Sequence, residues 1–107
     1  MIEESEKQKK IADGYQYFEI KVKEGIVPLF FKETWLSGIT GHIEFYSNLV
    51  SESGFRSHFF YPDELKKFYG NKIKFLEHVI QGLIEEHKVW SVKNHAKLVA
   101  ESQPALL

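Results

Sequence analysis

Arg56 is the only arginine in a chain of 107 residues, which holds 14 lysines and arginines in total. Lysine replaces arginine readily on a solvated surface, but not where a planar guanidinium fork must bind two oxygen atoms. The lone fork therefore suggests one of two roles. In the interpretation we favour, it braces the fold through a hydrogen bond or is simply the one arginine that a lysine-rich composition retains by chance. In the other, it anchors a carboxylate or phosphate group of a ligand.

Arg56 belongs to a predicted β-hairpin whose two strands are rich in polar and aromatic side chains. With Asn48 to Gly54 as the loop, a simple register places Glu44 opposite His58 and Tyr46 opposite Arg56. Because side chains alternate between the faces of a strand, one face then carries most of the reactive groups. That face is expected to hold His42, Glu44, Tyr46, Arg56, His58 and Phe60, and the core face Ile43, Phe45, Phe55, Ser57 and Phe59.

The reactive face suggests three kinds of chemistry. Glu44 and His58 could form an oriented general base, because the carboxylate fixes the imidazole tautomer. His42, Glu44 and His58 could ligate a metal, although no zinc-type spacing supports this and no metal or cofactor is predicted. Arg56 with His58 could bind a small anion, which is the strongest functional reading of the three. A purely structural network of cross-strand polar pairs remains the main alternative.

The composition excludes several classes of function. The formal charge is −1 and cysteine is absent, so a basic nucleic-acid footprint, thiol catalysis and Cys-ligated zinc are not expected. The first ten residues are charged rather than apolar, and no apolar run approaches the ~20 residues of a membrane span. P-loop and serine-hydrolase motifs are also missing. We therefore expect a cytoplasmic protein that binds no membrane.

The elements that position these residues follow from periodicity. Residues 1–13 are a polar lead-in, either a short frayed helix or a disordered segment, and residues 14–107 form one domain. Phe18, Ile20 and Val22 alternate with charged residues, which predicts a strand. Three more strands are expected at about 27–36, 42–47 and 55–60, with Pro28 at a strand start or on an edge. Short connections favour an antiparallel meander in an α+β fold.

A long C-terminal helix is expected to cover one face of this sheet. It begins at Pro62, and the favoured interpretation is that it continues through Gly70-Asn71, although a break there is the alternative. Its apolar stripe consists of Leu65, Tyr69, Ile73, Leu76, Ile80, Leu83 and His87. His87 is expected to be either a core histidine with a satisfied hydrogen bond or a residue at the end of the stripe in partial contact with water, and a pH-sensitive contact is the alternative.

The apolar surface of this helix is wide, because Phe68, Phe75 and Val79 extend the stripe. Either the tail folds back over it through Trp90, Val92 and Val99, or a second chain covers it. The fold-back is slightly favoured on the sequence. Phe68, Phe75, Val79 and His87 are accordingly the candidate interface residues.

These patterns predict a small non-catalytic interaction or regulatory module that self-associates or binds another protein. Its contact surface would combine the wide helix face with the hairpin from Glu52 to His58. The alternative is a domain that binds a small molecule or anion, or a small enzyme. In that case Arg56 would anchor the ligand, and His58 would act as acid or base oriented by Glu44.

Overall fold

Four strands and three helices make up the chain in the order α1, β1–β4, α2, α3. The computed structural model describes residues 2–35 and 38–102, with side chains for 2–34 and 38–93. The elements are α1 (Glu4–Ala12), β1 (Gln16–Val22), β2 (Gly25–Trp35), β3 (Thr40–Phe45), β4 (Arg56–Phe60), α2 (Pro62–Lys66) and α3 (Lys72–Ser102). The strands form one antiparallel sheet in the order β1-β2-β3-β4. The predicted α+β meander with a long C-terminal helix is therefore confirmed.

Strand β2 is covered on both faces, which explains why its sequence shows no clear period of two. Phe30 and Phe31 point to opposite faces of the sheet, yet both are fully buried. A strand that is covered on both sides reads as a continuous apolar run. The face of Phe31 packs against α3 and forms the main core. Its buried members are Ile20, Val27, Leu29, Phe31, Ile43, Phe45, Val50, Phe60, Leu65, Phe75, Leu76, Ile80, Leu83 and Ile84.

Pro28 lies inside β2 rather than at its start or on an edge strand, contrary to the sequence expectation. The pairing of β2 with β3 ends at Leu29 and Phe45. Just beyond that point, the backbone N–H of Tyr46 donates to the Pro28 carbonyl at 3.0 Å. An N–H at position 28 would point to the same side of β2 as the Pro28 carbonyl, toward β3, where the pairing of these two strands ends. The proline therefore removes no hydrogen bond from the interior of the sheet.

The register of β3 against β4 differs by one residue from the predicted one. His58 lies opposite Ile43, Ser57 opposite Glu44, and Arg56 opposite Phe45. Because the side-chain period of a strand is two, this shift moves every β4 side chain to the other face. The prediction that His42 and Glu44 share a face with Arg56 and His58 is therefore wrong.

Gly41 explains the observed register. It lies opposite Phe60, and the Phe60 ring occupies the space that a Cβ atom at Gly41 would need. The ring stacks on Phe31 with centroids 5.4 Å apart and packs against Phe75 at 4.9 Å. A glycine within a strand commonly marks such a close approach. Phe60 is thus a core residue, which contradicts its predicted place on the reactive face.

The C-terminal helix is broken at Gly70, so the continuous helix that we favoured from the sequence is wrong. Tyr69 and Gly70 both have positive φ, 55° and 74°, a backbone region in which glycine is favoured. Tyr69, expected on the apolar stripe, is 99% exposed. Asn71 then begins α3 by accepting a hydrogen bond from the backbone N–H of Lys74 through its side chain, at 3.1 Å.

Helix α3 is much longer than the sheet that it covers. Its 31 residues span roughly 46 Å, and the chain measures 58 × 34 × 29 Å. The radius of gyration is 17.0 Å, against about 13 Å for a closely packed domain of this size. The helix runs without interruption to Ser102, so within the described residues Trp90 and Val92 do not fold back over its start. The side chain of Val99 lies outside the described ones.

The first residues form a helix that docks on the second face of the sheet. Within α1, the ammonium of Lys7 lies 4.0 Å from the ring centre of Tyr17, and that of Lys10 lies 2.7 Å from a carboxylate oxygen of Glu44. Lysine stems can cover apolar surface while their ammonium groups reach polar partners. The polar composition of this segment is therefore consistent with an ordered helix.

Candidate functional site

The sequence-predicted site residues lie on two opposite faces of the sheet. His42, Glu44 and Tyr46 face α1, whereas Arg56 and His58 lie on the face that α3 covers, as the observed register requires. The predicted Glu44–His58 base and the predicted ligand site that joins Glu44 to Arg56 are therefore not assembled. Within the described residues no group of three or more His, Asp or Glu side chains could hold a metal ion.

A chain of short hydrogen bonds crosses the α1 face. The Tyr15 hydroxyl and Nδ1 of His42 share a hydrogen bond of 2.7 Å, and Nε2 of His42 and Oγ of Ser57 share one of 2.6 Å. The imidazole stacks on the ring of Phe59 at 4.6 Å. His42 is 7% exposed, so both ring nitrogens are partnered in a site that holds little water. Sequence reasoning placed Ser57 and Phe59 in the core, and the register shift brings them here.

Glu44 is the second polar residue buried on this face. Its carboxylate lies 2.6 Å from the ammonium of Lys10 and accepts a 3.3 Å hydrogen bond from the Tyr46 hydroxyl. The Tyr46 ring in turn meets the buried Phe30 edge-on at 5.8 Å. A buried carboxylate requires such partners, because an unpaired charge would be strongly penalised. Glu44 therefore fastens α1 to the sheet.

Burial sets the protonation states on both sides of the sheet. It lowers the pKa of His42, against the opposing effect of Glu44, and it also lowers the pKa of His58. Burial and the adjacent Glu44 carboxylate raise the pKa of Tyr46 to about 12. Desolvation penalises the charged form of each group, so neutral imidazoles and a neutral phenol are favoured near neutral pH.

Arg56 lines an open hollow of about 530 Å³ between the β3–β4 connection and α3. Its guanidinium donates to the Val50 carbonyl at 3.3 Å and to the Glu86 carboxylate at 3.3 Å. Glu52 and Glu86 also line the hollow, so the two carboxylates outnumber the single guanidinium. An incoming anion would have to compete with Glu86 for the fork. This geometry suits the structural brace better than an anion anchor.

The four predicted interface residues differ in their accessibility. Phe75 is 1% exposed and belongs to the core of its own chain, so the structure contradicts its place on an interface. Phe68 and Val79 are partly buried against the same core. His87 is half-buried, and its ring stacks on Trp90 with centroids 5.6 Å apart. The apolar width of the helix near its start is therefore largely used within the chain.

The distal segment of α3, residues 85–102, is a different surface. Ile84 is the last buried residue among the described side chains of the helix, and residues 85–93 are all half-buried or exposed. Val89 is 55% and Val92 70% exposed. These valines extend along the helix on the side opposite the core-facing stripe, as a turn of 3.6 residues requires.

Five residues define this surface, which we term the outer stripe: Gly82, Glu85, Val89, Val92 and Lys93. A shallow depression in the surface lies along part of it, lined by Gly82, Glu85, Glu86, Val89, Trp90 and Lys93. No atom lies within 4 Å of the place where a Cβ of Gly82 would be, so packing within the chain does not require this glycine. Sequence reasoning missed the outer stripe. The spacing of Val89 and Val92, away from the core stripe, was the signal available.

Comparisons with protein-family models, with curated proteins and with solved structures found no match. Among the described residues, no helix has the length and apolar character needed to cross a membrane.

Proposed function

We propose that this protein is an interaction module that binds another protein chain through the outer stripe of α3. The observation that carries the proposal is the exposure of Val89 and Val92 on a helix that continues past the core of its own chain. Valine is a poorer helix former than alanine or leucine. Its presence at two neighbouring exposed positions on one side of the helix supports burial against a partner.

The length of the distal segment supports the same proposal. Residues 85–102 extend for about 27 Å, and none of the described side chains among them is buried. Most of the stability of a helix in a protein comes from the packing of one face rather than from helix propensity, and the described part of this segment has no buried face. Gly82, at the start of the outer stripe, weakens the helix by a further 0.5–1 kcal/mol, roughly. A partner that packs against the stripe would offset both effects.

A photo-crosslinking experiment in the host cell tests the proposal. The photoreactive residue p-benzoylphenylalanine replaces Val92 in one variant and Tyr69 in a control, since Tyr69 is 99% exposed but distant from the outer stripe. We expect a discrete crosslinked product at position 92 and none at position 69. Equal or absent crosslinking at the two positions would refute an interaction through the outer stripe.

A second candidate function is nucleophilic catalysis by Ser57. It is favoured by one observation, the 2.6 Å contact of the exposed Ser57 hydroxyl with Nε2 of His42, whose other nitrogen Tyr15 holds at 2.7 Å. A nucleophile, a base and a group that orients the base are the geometric requirements for an activated serine. Labelling by a fluorophosphonate is then expected at Ser57 and lost in His42→Ala. Labelling no greater than at the exposed Ser53 would reject this function.

A further inference from the structure

We infer that the partner of the outer stripe is the same stripe on a second copy of the chain, with the two helices antiparallel and Val89 at the twofold axis. This inference rests on the proposed function and specifies its partner. A twofold interface requires a surface that is complementary to itself. The outer stripe meets this requirement through the order of its charges.

The charges of the stripe are arranged symmetrically about Val89. Glu85 lies four residues before it and Lys93 four residues after it, about 6 Å along the axis in each direction. The two side chains are turned by roughly 40° to either side of Val89, because each helical residue turns the chain by about 100°. An antiparallel copy therefore brings its Lys93 to the same height as Glu85, across the line of contact, and this pairing occurs twice per dimer.

The same charges disfavour the parallel arrangement. Two parallel helices in register would place Glu85 against Glu85 and Lys93 against Lys93, which are repulsive pairs. Specificity commonly depends on such repulsion in the unwanted arrangement as much as on attraction in the chosen one. The stripe thus selects one orientation.

The partners of these charges within their own chain leave the pairing possible. Among the described side chains Glu85 has one ion pair, with Lys88 at 3.4 Å on the same helix, and both side chains are more than half exposed. Lys93 has no ion pair within the described part of the chain, and its side chain is exposed. Exposed ion pairs of this kind are weak, so both Glu85 and Lys93 can pair with a second copy.

Gly82 lets the two helices approach at the end of the stripe. A glycine on a helix surface removes the Cβ atom that would otherwise keep another backbone at a distance. At Gly82 no neighbour occupies that place. Val89 of the two copies at the centre and Gly82 at the end together provide an apolar contact. The two Glu85–Lys93 pairs flank this contact.

Single-cysteine variants test the inference, because the chain contains no cysteine. Under mild oxidation with diamide, we expect Val89→Cys to form a disulfide-linked dimer. A mixture of Glu85→Cys and Lys93→Cys should form the mixed dimer in preference to either self-linked dimer. Ser91→Cys, on the other side of the helix, is the control and should form no disulfide-linked dimer.

Charge reversal gives the second readout. Glu85→Lys and Lys93→Glu should each weaken the dimer about tenfold at low salt, since both pairs change from attraction to repulsion. The double variant should regain most of the affinity, as measured by sedimentation velocity. Circular dichroism verifies that each variant remains folded.

The possible failures are distinguishable. Self-linked Glu85→Cys and Lys93→Cys dimers without the mixed dimer would overturn the antiparallel orientation. A double charge variant no better than the single ones would also overturn it. If no cysteine variant forms a dimer while the position-92 crosslinker captures a different protein, the second copy is wrong but the interaction module stands. If the crosslinker captures nothing either, both fail.

Discussion

The α1 face of the sheet and the distal segment of α3 make opposite use of their side chains. On the α1 face, the residues whose types suggest chemistry are joined to partners in the same chain: His42 to Tyr15 and Ser57, and Glu44 to Lys10. On the distal segment, the unremarkable Val89 and Val92 are left exposed. The fold thus gives these polar groups partners within the chain and leaves the two valines exposed to solvent.

This difference shows why residue type alone is a poor guide to function. Burying a polar group is costly unless it is hydrogen-bonded, so a buried imidazole or carboxylate acquires partners for structural reasons. An exposed valine on a helix has no such structural reason. The exposed apolar surface of α3 is therefore the better place to look for an interaction.

Removal of the Lys10 ammonium should have the largest effect on the α1 face. In Lys10→Met, the buried residue Glu44, which is 7% exposed, loses its ion-pair partner. A fully buried pair loses about 3–5 kcal/mol on such a change. Because a third of the Lys10 side chain is exposed, we expect about 2 kcal/mol of lost stability. Urea unfolding measures it.

Lys9→Met is the matched control for that experiment, because Lys9 is an exposed neighbour in the same helix. Its unfolding free energy should change by less than about 0.5 kcal/mol. Equal losses for the two variants would show that α1 responds to general lysine loss rather than to the Glu44 pair.

Replacement of Arg56 should have an intermediate effect. Arg56→Lys cannot keep both hydrogen bonds, to the Val50 carbonyl and to Glu86, because lysine has no planar fork. We expect a loss of about 1 kcal/mol in urea unfolding. Glu86→Gln, which removes only the exposed ion pair, should lose less than half of that. An unchanged Arg56→Lys would contradict the brace and return Arg56 to the anion-binding alternative.

The arrangement of the sheet could be predicted from the sequence, but its register could not. Alternation in β1 and the short connections gave the meander correctly. In β4, however, aromatic residues occupy both parities: Phe55 and Phe59 on one, Phe60 on the other. Period two cannot then distinguish the faces, and a shift of one residue exchanged the predicted neighbours of Arg56 and His58. Gly41 opposite Phe60 decides the register, and its partner is not visible from local sequence.

The helix break and the distal segment were harder to predict for a different reason. The apolar spacing continues unbroken across Gly70, so periodicity favours one helix although Tyr69 and Gly70 adopt positive φ. Local patterns also do not reveal where the sheet ends, and therefore where α3 passes beyond it. That boundary, near Ile84, depends on the length of the strands, a tertiary property.

Lower pH should destabilise the fold through the buried His42 and the half-buried His58. Burial lowers the folded-state pKa of His42 and His58 below the ordinary value of 6.5. As pH falls, the unfolded chain binds protons first, so stability present above about pH 6.5 is lost progressively below it. Urea unfolding at pH 7.5, 6.5 and 5.5 should show this gradual loss. The change of the unfolding free energy with pH should be smaller in His42→Gln. An unchanged pH dependence would mean that His42 does not contribute.

The smallest effect is expected at Val89, and its dependence on protein concentration is the informative part. In dilute protein, Val89→Ala should change stability by less than about 0.5 kcal/mol, because the side chain is 55% exposed and alanine is the better helix former. Ile84→Ala, little more than one turn earlier and 1% exposed, should lose about 3 kcal/mol.

Association with a second copy stabilises the folded state by mass action. The wild-type unfolding free energy should therefore rise with protein concentration, whereas that of Val89→Ala should rise less. A cost above about 1 kcal/mol for Val89→Ala in dilute protein would mean that Val89 already packs within its own chain. Identical concentration dependence in the two proteins would remove Val89 from the self-interface. Either result would mean that the α1 face and the outer stripe do not differ in the way described above, because Val89 would not be an exposed apolar residue that binds a second copy.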